Sequence, residues 1–291
     1  MIPVAFTYVR ARDVADAVRL LGEHDDAKLL AGGHSLIPMM KLRLAAPATI
    51  VDIGSVPGLT GISHDGKRIA LGALTTHANL AASRELAIYA PVLAQAANVL
   101  GDPQVRNRGT VGGACAHGDP SADYPAVMLA LDAAFTLTGD GGTRDVGADE
   151  FFTGMFETAL GPCEVLTEIA FATAPHSAYA KFPHPASGYA VVGAAVNLKL
   201  NGDRIASARV AFTGVGDAAF RAQGVEAALA GIARGDTAAL DAACRNAAAP
   251  STLLRAGSIE ARGDTFASAE YRAAMADVFL RRAVASALQP A

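Results

Sequence analysis

The chain has 291 residues, which exceeds the usual size of one domain, so two or three packed units are expected. Apolar residues make up 52% of the sequence and charged residues 18%, proportions that are typical of a compact globular protein and exclude a disordered one. The formal net charge of -4 leaves no basic excess to neutralise phosphates, which argues against general nucleic-acid binding.

The cysteines are too scattered to form a redox or metal centre. Cys115, Cys163 and Cys244 contain no C-x-x-C pair, which argues against a disulfide framework, structural zinc and a complete iron–sulfur site. If this protein transfers electrons, an organic cofactor has to carry them. No apolar run reaches the length of a membrane span, and Met1 to Phe6 lack the features of a secretory signal, so a cytoplasmic protein is expected.

Strands and helices are predicted to alternate in the first part of the chain. Asp13 can cap a helix whose apolar residues Val14, Val18 and Leu21 share one face, and this helix is expected to end at Gly22. The next predicted elements are a strand at Lys28 to Leu30, a helix from about Ser35 to Leu44, a strand at Thr49 to Ile53 and a hairpin at Ile62 to Leu71.

The pattern changes after Pro175. Before it, helices are predicted at Thr76 to Ala82, Pro91 to Leu100 and Asp123 to Leu131. After it come strands at Tyr189 to Leu200 and Arg204 to Val215, joined by the turn Asn201-Gly202, and a final amphipathic helix at Ala267 to Leu288. A boundary between structural units is therefore predicted near residues 174–180.

Two glycine-rich segments are candidates for binding an anion. Ala31-Gly32-Gly33-His34-Ser35 ends a strand and opens a helix, where unpaired backbone N–H groups and the Ser35 hydroxyl can surround a diphosphate. An ordinary glycine turn with Ser35 as N-cap explains this segment equally well. Thr110-Val111-Gly112-Gly113-Ala114 has the same character, and two such loops can hold one diphosphate from both sides. Neither contains a Rossmann fingerprint.

Three further positions have both a structural and a functional interpretation. Asp123 begins a helix, so it can be an N-cap, a ligand contact or both. Lys181 and Tyr189 lie near the predicted boundary, where an aromatic ring can cover a flavin, although a strand start and a solvated lysine explain them without a ligand. His117, Asp119 and Asp123 have no further ligand at a suitable spacing, so no metal site is predicted.

Three segments resemble a known family in combination, order and spacing, and the resemblance extends over essentially the whole length. They are Leu30 to Arg43, Gly101 to Gly113 and Asp119 to Asp123. The chain resembles the medium, FAD-binding subunits of carbon monoxide dehydrogenase-type molybdenum hydroxylases, which are related to the flavin domain of xanthine dehydrogenase. The resemblance implies an α+β fold with two FAD-binding subdomains of the PCMH type, at 1–56 and 57–176, and a C-terminal antiparallel sheet with helices at 177–291.

The resemblance also implies the residues that hold FAD. The diphosphate would be bound by two segments, which comprise Leu30, Ala31, Gly32, Gly33, His34, Ser35 and Leu36 in the first and Thr110, Val111, Gly112, Gly113 and Ala114 in the second. Leu100, Asp123, Leu166 and Lys181 would touch the flavin or its ribityl chain, and Tyr189 would lie near the isoalloxazine ring. Ala114 departs from the family pattern, because relatives often carry Asn, Asp or Ser there, so a side-chain hydrogen bond is expected to be lost.

The function implied by the resemblance is electron transfer within a larger assembly. The molybdopterin and the iron–sulfur clusters would reside on separate large and small subunits, and this chain would pass electrons through FAD to an external acceptor such as a quinone or NAD. The protein would supply orientation and tuning, so no general acid, base or nucleophile is predicted in this chain. The substrate would be chosen by the molybdenum subunit.

Two other functions are compatible with the sequence. A histidine after Gly-Gly can be a covalent flavin attachment point, which would make the protein a free-standing oxidase with FAD linked to His34. A non-catalytic scaffold subunit that kept the fold and lost the cofactor is the other alternative, although the intact glycines of both loops argue against it.

Overall fold

A computed structural model of the chain describes residues 1–245, 247–249 and 259–289. The first part is a three-stranded parallel sheet of order β1-β3-β2 against which helix α1 packs. Its elements are β1 (Thr7–Arg10), α1 (Val14–Glu23), β2 (Ala27–Leu30), α2 (Leu36–Lys41) and β3 (Thr49–Asp52). The Asp13 side chain accepts a hydrogen bond from the Asp16 N–H at 2.7 Å, which caps α1 as predicted.

The middle part contains a five-stranded antiparallel sheet of order β4-β5-β10-β6-β7 and a short β8-β9 hairpin. The strands are β4 (Ile62–His64), β5 (Arg68–Gly72), β6 (Ala134–Gly139), β7 (Gly142–Gly147), β8 (Phe152–Gly154), β9 (Glu157–Thr158) and β10 (Val165–Ala172). The helices are α3 (His77–Ala82), α4 (Arg84–Tyr89), α5 (Pro91–Asn98), α6 (Pro103–Arg108), α7 (Val111–His117), α8 (Asp123–Leu131) and α9 (Ala148–Phe151).

The last part is a four-stranded antiparallel sheet of order β11-β12-β13-β14 with helices. Its elements are β11 (Ser177–Pro183), β12 (Ala190–Asn201), β13 (Arg204–Thr213), β14 (Phe220–Arg221), α10 (Gln223–Leu229), α11 (Thr237–Ala243) and α12 (Ala269–Ala287). Asn201 pairs with Arg204 across the turn that joins β12 and β13, and Gly202 has a φ of 62° there. This is the predicted hairpin.

Helix α8 connects the middle part to the last sheet. All nine of its residues are buried, because it packs against α5 as well as against β12 and β13. A helix that is apolar all round is expected at such a central position. The first residue of α8, Asp123, is therefore held at the place where the middle part meets β11.

The α+β fold class predicted from the sequence is confirmed. Two local expectations were wrong. Helix α1 continues through Gly22 to Glu23, with His24 at its C-cap, and the N-cap of α8 is Ala122 because Asp123 already belongs to the helix. The expected unit at 177–291 includes residues 246, 250–258 and 290–291, which lie outside the described residues. None of the helices in the described residues is both long and apolar enough to cross a membrane.

Candidate functional site

The two glycine-rich segments face one cleft of about 620 Å³, a size that is usual for a small-molecule or cofactor site. We call Ala31 to Leu36 the first loop and Thr110 to Ala114 the second loop. The cleft also extends along β10 to Leu166 and across the β8–β9 hairpin. It therefore lies where the first parallel sheet meets the middle part of the chain.

The first loop presents unpaired backbone donors. In the described part of the chain, the N–H groups of Gly32, Gly33, His34, Ser35 and Leu36 make no intramolecular hydrogen bond. Gly33 has a φ of 76°, a conformation that glycine adopts without strain. The Ser35 side chain makes no cap hydrogen bond, so its hydroxyl is also available. Consecutive free donors of this kind form a concave site that binds anions.

The second loop differs, because its donors are already used within the protein. The N–H of Val111 donates to the Thr75 carbonyl at 3.0 Å, and the N–H of Gly112 donates to the Ala73 carbonyl at 2.8 Å. The N–H of Gly113 donates to the Thr110 hydroxyl at 3.2 Å. The second loop is therefore a wall of fixed shape, and the donors for an anion come from the first loop.

Glycines let the backbones around the cleft approach each other closely. A Cβ on Gly32 would lie 2.1 Å from the Arg108 carbonyl oxygen, and a Cβ on Gly112 would lie 2.5 Å from the Ala73 Cβ. Contacts this short leave no room for any side chain at either position. Both glycines are thus required by the packing of the cleft walls as well as by access for a ligand.

His77 lines the cleft, and the sequence contained no signal that would have identified it. Its side chain is buried, its Nδ1 lies 3.0 Å from the Tyr124 hydroxyl, and its backbone N–H donates to the Gly109 carbonyl at 3.0 Å. Burial lowers the pKa of His77 to about 4, and the positive charges of His34 and Arg106 act in the same direction. His77 is therefore neutral near pH 7. Its backbone hydrogen bond holds Gly109, the residue that precedes the second loop.

Most of the residues predicted to bind FAD lie in this cleft. Those that line it are Ala31, Gly32, Gly33, His34, Ser35, Leu36, Thr110, Gly112, Gly113, Ala114 and Leu166. Those that do not line it are Leu30, Val111, Leu100, Asp123, Lys181 and Tyr189. Leu30 directly precedes the first loop and Val111 lies within the second, whereas the other four lie towards the last sheet. Contact of these four with FAD stays a prediction.

Asp123 and Lys181 form a buried ion pair instead of lining the cleft. The Lys181 Nζ lies 2.9 Å from the Asp123 carboxylate, and each side chain is 4% exposed. The Tyr179 hydroxyl donates to the same carboxylate at 2.6 Å, and Lys181 also donates to the Val99 carbonyl at 3.3 Å. Burial raises the pKa of Asp123, while Lys181 opposes that shift. The pair joins α8 to β11.

Tyr189 is close enough to feel the charge of Asp123, and the residue is 45% exposed. Burial of the hydroxyl raises its pKa, and the negative charges of Asp119 and Asp123 add to the shift. No cluster of three His, Cys, Asp or Glu side chains that could hold a metal ion occurs among the described residues.

The cleft matches the needs of a dinucleotide. On one side, five free N–H groups and the Ser35 hydroxyl can donate hydrogen bonds to a diphosphate. On the other side, the glycines of the second loop let the ligand approach the backbone closely. Apolar side chains such as Leu36, Met39 and Leu166 line the space beyond the loops, as expected for a cofactor with flat ring systems. The residues present therefore fit FAD.

Comparisons with known proteins agree with this assignment. Residues 4–173 match the FAD binding domain in molybdopterin dehydrogenase, and residues 177–287 match the CO dehydrogenase flavoprotein C-terminal domain. The chain belongs to this family. It is an FAD-binding medium subunit of the carbon monoxide dehydrogenase type, and hence an oxidoreductase subunit, as the resemblance implied.

Individual relatives of this medium-subunit family align along nearly the whole chain. The carbon monoxide dehydrogenase medium chain of Hydrogenophaga pseudoflava is 41% identical over 291 residues, which cover 99% of this chain and 98% of the relative. The nicotine 6-hydroxylase medium subunit of Paenarthrobacter nicotinovorans is 33% identical and covers 97% of both chains. The solved structure of the Hydrogenophaga pseudoflava carbon monoxide dehydrogenase superposes with a TM-score of 0.90 and covers 99% of this chain and 98% of the other.

Proposed function

We propose that this chain is the electron-transfer subunit of a heteromeric molybdenum hydroxylase. It would receive electrons from iron–sulfur clusters on a small partner subunit and deliver them to an external acceptor. The substrate would be oxidised at a molybdopterin centre on a large partner subunit. FAD supplies the chemistry of this step when bound, because a flavin exchanges electrons with both one-electron and two-electron carriers.

The observation that carries the proposal is the row of free N–H groups from Gly32 to Leu36 opposite the second loop. These groups bind and orient an anionic cofactor, and they offer no acid–base or nucleophilic chemistry. His77 is neutral and already bonded to Tyr124, so it contributes shape to the cleft. The chain would therefore hold the cofactor, exclude water and leave substrate oxidation to a partner.

The cysteines support a division of redox centres between subunits. Cys115 and Cys244 are buried and Cys163 is half-buried, and burial raises the pKa values of the Cys115 and Cys244 thiols. Thiols of this kind do not ligate an iron–sulfur cluster, which needs four ligands in one place. Electrons that reach this chain would come from a cluster on another chain.

We assign the FAD site to the first and second loops, with Leu30 just before the first loop and Leu166 on β10. Leu100, Asp123, Lys181 and Tyr189 are proposed at the flavin end by resemblance. FAD would lie between the subdomains at 1–56 and 57–176, and 177–291 would form the third unit. A cytoplasmic location stays a prediction.

A visible spectrum of the purified chain before and after FAD addition, followed by acid precipitation, tests the proposal. Non-covalent FAD appears in the supernatant, which is the expected result. Flavin that stays in the pellet, and is lost from the pellet in the His34→Ala variant, would instead show a His34-linked oxidase. A chain that binds no FAD would be a scaffold. The electron-transfer role is then tested by reduction of the bound flavin only when the partner subunits and their substrate are added.

A further inference from the structure

The tip of the β8–β9 hairpin has an unusual backbone conformation. Gly154 pairs with Glu157 across the two strands, so Met155 and Phe156 form a two-residue turn. Phe156 has a φ of 57°, which lies in the left-handed region that glycine and asparagine adopt readily and bulky residues do not. Such strain persists only where surrounding contacts hold the residue, and it is frequent at ligand sites.

Contacts with the end of α7 hold Phe156 in this conformation. The Phe156 N–H donates to the Gly118 carbonyl at 3.0 Å, and Gly118 is the C-cap of α7. The Phe156 and His117 rings lie with their centroids 5.1 Å apart and their planes inclined at 52°. Helix α7 begins at Val111 with Thr110 as its N-cap, and both residues belong to the second loop. The same helix therefore positions a wall of the diphosphate site at one end and the Phe156 ring at the other.

The direction of the ring distinguishes Phe156 from its neighbour. Met155 and Phe156 are almost equally exposed, at 50% and 51%. Phe156 lines the cleft together with His117 and Thr158, whereas Met155 does not line it. An exposed aromatic ring on a strained turn contributes little to the folding of the chain alone. Covering its apolar surface with a ligand is favourable, because it removes that surface from water.

We propose that Phe156, backed by the His117 ring, is a cofactor-contacting residue whose ring packs against the bound FAD and fixes part of the dinucleotide in the cleft. This inference rests on the proposed function, because it takes FAD as the ligand of the cleft. FAD presents two flat ring systems, and an aromatic side chain packs favourably against either of them.

The test is a titration of the flavin-free full chain with FAD. Binding is measured by the quenching of flavin fluorescence. Phe156→Gly is expected to raise the FAD Kd about tenfold, or about 1.4 kcal/mol. The unfolding midpoint of the flavin-free protein stays the same or rises, because glycine relieves the backbone strain. Phe156→Tyr keeps the ring and binds FAD like the wild type. Met155→Ala is the matched control and leaves the Kd unchanged.

Parallel titrations with ADP and with FMN show which half of the dinucleotide the ring touches. Phe156→Gly should lose affinity only for the fragment that the ring contacts. A Phe156→Gly variant that binds FAD as tightly as the wild type would overturn the inference alone. A wild-type chain that takes up no FAD would overturn the proposed function as well.

Discussion

The carbonyl oxygen of Arg108 occupies the space that a side chain on Gly32 would need, because a Cβ there would lie only 2.1 Å away. The first loop thus packs directly against the backbone just before the second loop. This contact makes the geometry of one loop depend on the other.

Gly32→Ala is therefore expected to push the two loops apart and to raise the FAD Kd at least tenfold, with a loss of stability of about 1–3 kcal/mol from overpacking. Fluorescence titration and urea unfolding measure the two effects. Gly22→Ala is the control, since a Cβ on Gly22 meets nothing within 4 Å and lies in helix α1. That variant should keep its FAD affinity and gain up to about 1 kcal/mol. Equal FAD affinity in both variants would contradict the role of the Gly32 contact.

The ion pair between Asp123 and Lys181 is expected to behave as a coupled unit. Asp123→Asn and Lys181→Met each leave one buried charge without its partner, so each should lower the free energy of unfolding by about 3–5 kcal/mol. The double variant should lose much less than the sum of the single losses, since it buries no uncompensated charge. Urea unfolding of all four proteins gives the coupling energy. Losses that simply add would show that the two residues act independently.

The lowered pKa of His77 predicts that its contribution to the free energy of unfolding is lost in acid. Its pKa falls from 6.5 in the unfolded chain to about 4 in the fold, so its stabilising contribution is complete above pH 6.5 and is lost as the pH falls towards 4. The loss amounts to about 3 kcal/mol over that window. His77→Gln should remove this part of the acid limb, whereas His24→Gln, at the C-cap of α1, should retain it. Unfolding free energies at intervals from pH 7 to pH 4 test this, and identical slopes in the wild type and His77→Gln would refute it.

Arg272 is expected to be a major stabilising contact of α12. Its guanidinium is buried and donates to the Val191 carbonyl at 2.8 Å and the Gly214 carbonyl at 2.7 Å, as well as to Asp264. Arg272→Met leaves these acceptors unpaired and should cost at least about 3 kcal/mol. Arg282→Met, on the exposed side of the same helix, should cost under about 1 kcal/mol, since the contact that Arg282 makes among the described residues is stacking over the Phe279 ring. Denaturant unfolding compares the two, and similar losses would count against this role.

Local sequence signals predicted much of the fold. The Asp13 cap and the Asn201-Gly202 turn depend on residues close in sequence, so their patterns could be recognised directly. Helices α6 and α7 were not predicted. Helix α6 has no buried residue and hence no apolar periodicity, and α7 contains Gly112 and Gly113, which disfavour a helix. Helix α7 forms because the Thr110 cap and the Ala73 backbone hold its first turn.

The candidate site was predicted where glycines mark it and was missed where distant segments meet. Both loops could be recognised because glycines beside a helix start are a local sequence signal for an anion site. His77 and Phe156 reach the cleft only through contacts with Gly109 and Gly118, which lie more than 30 residues away in sequence. The difference between the loops could not be predicted either, since it depends on the carbonyls of Ala73 and Thr75.

The difference in hydrogen bonding between the two loops determines how fast their amide hydrogens exchange with deuterium. Amide hydrogens from Gly32 to Leu36 have no acceptor within the described chain, so deuterium replaces them quickly until an anion takes their hydrogen bonds. Those of Val111 and Gly112 are bonded to Thr75 and Ala73 from the outset, and they exchange slowly whether the cleft is filled or empty. Slower deuterium exchange at the five amides of the first loop therefore reports cofactor binding. The amides of Val111 and Gly112 in the second loop serve as the internal reference.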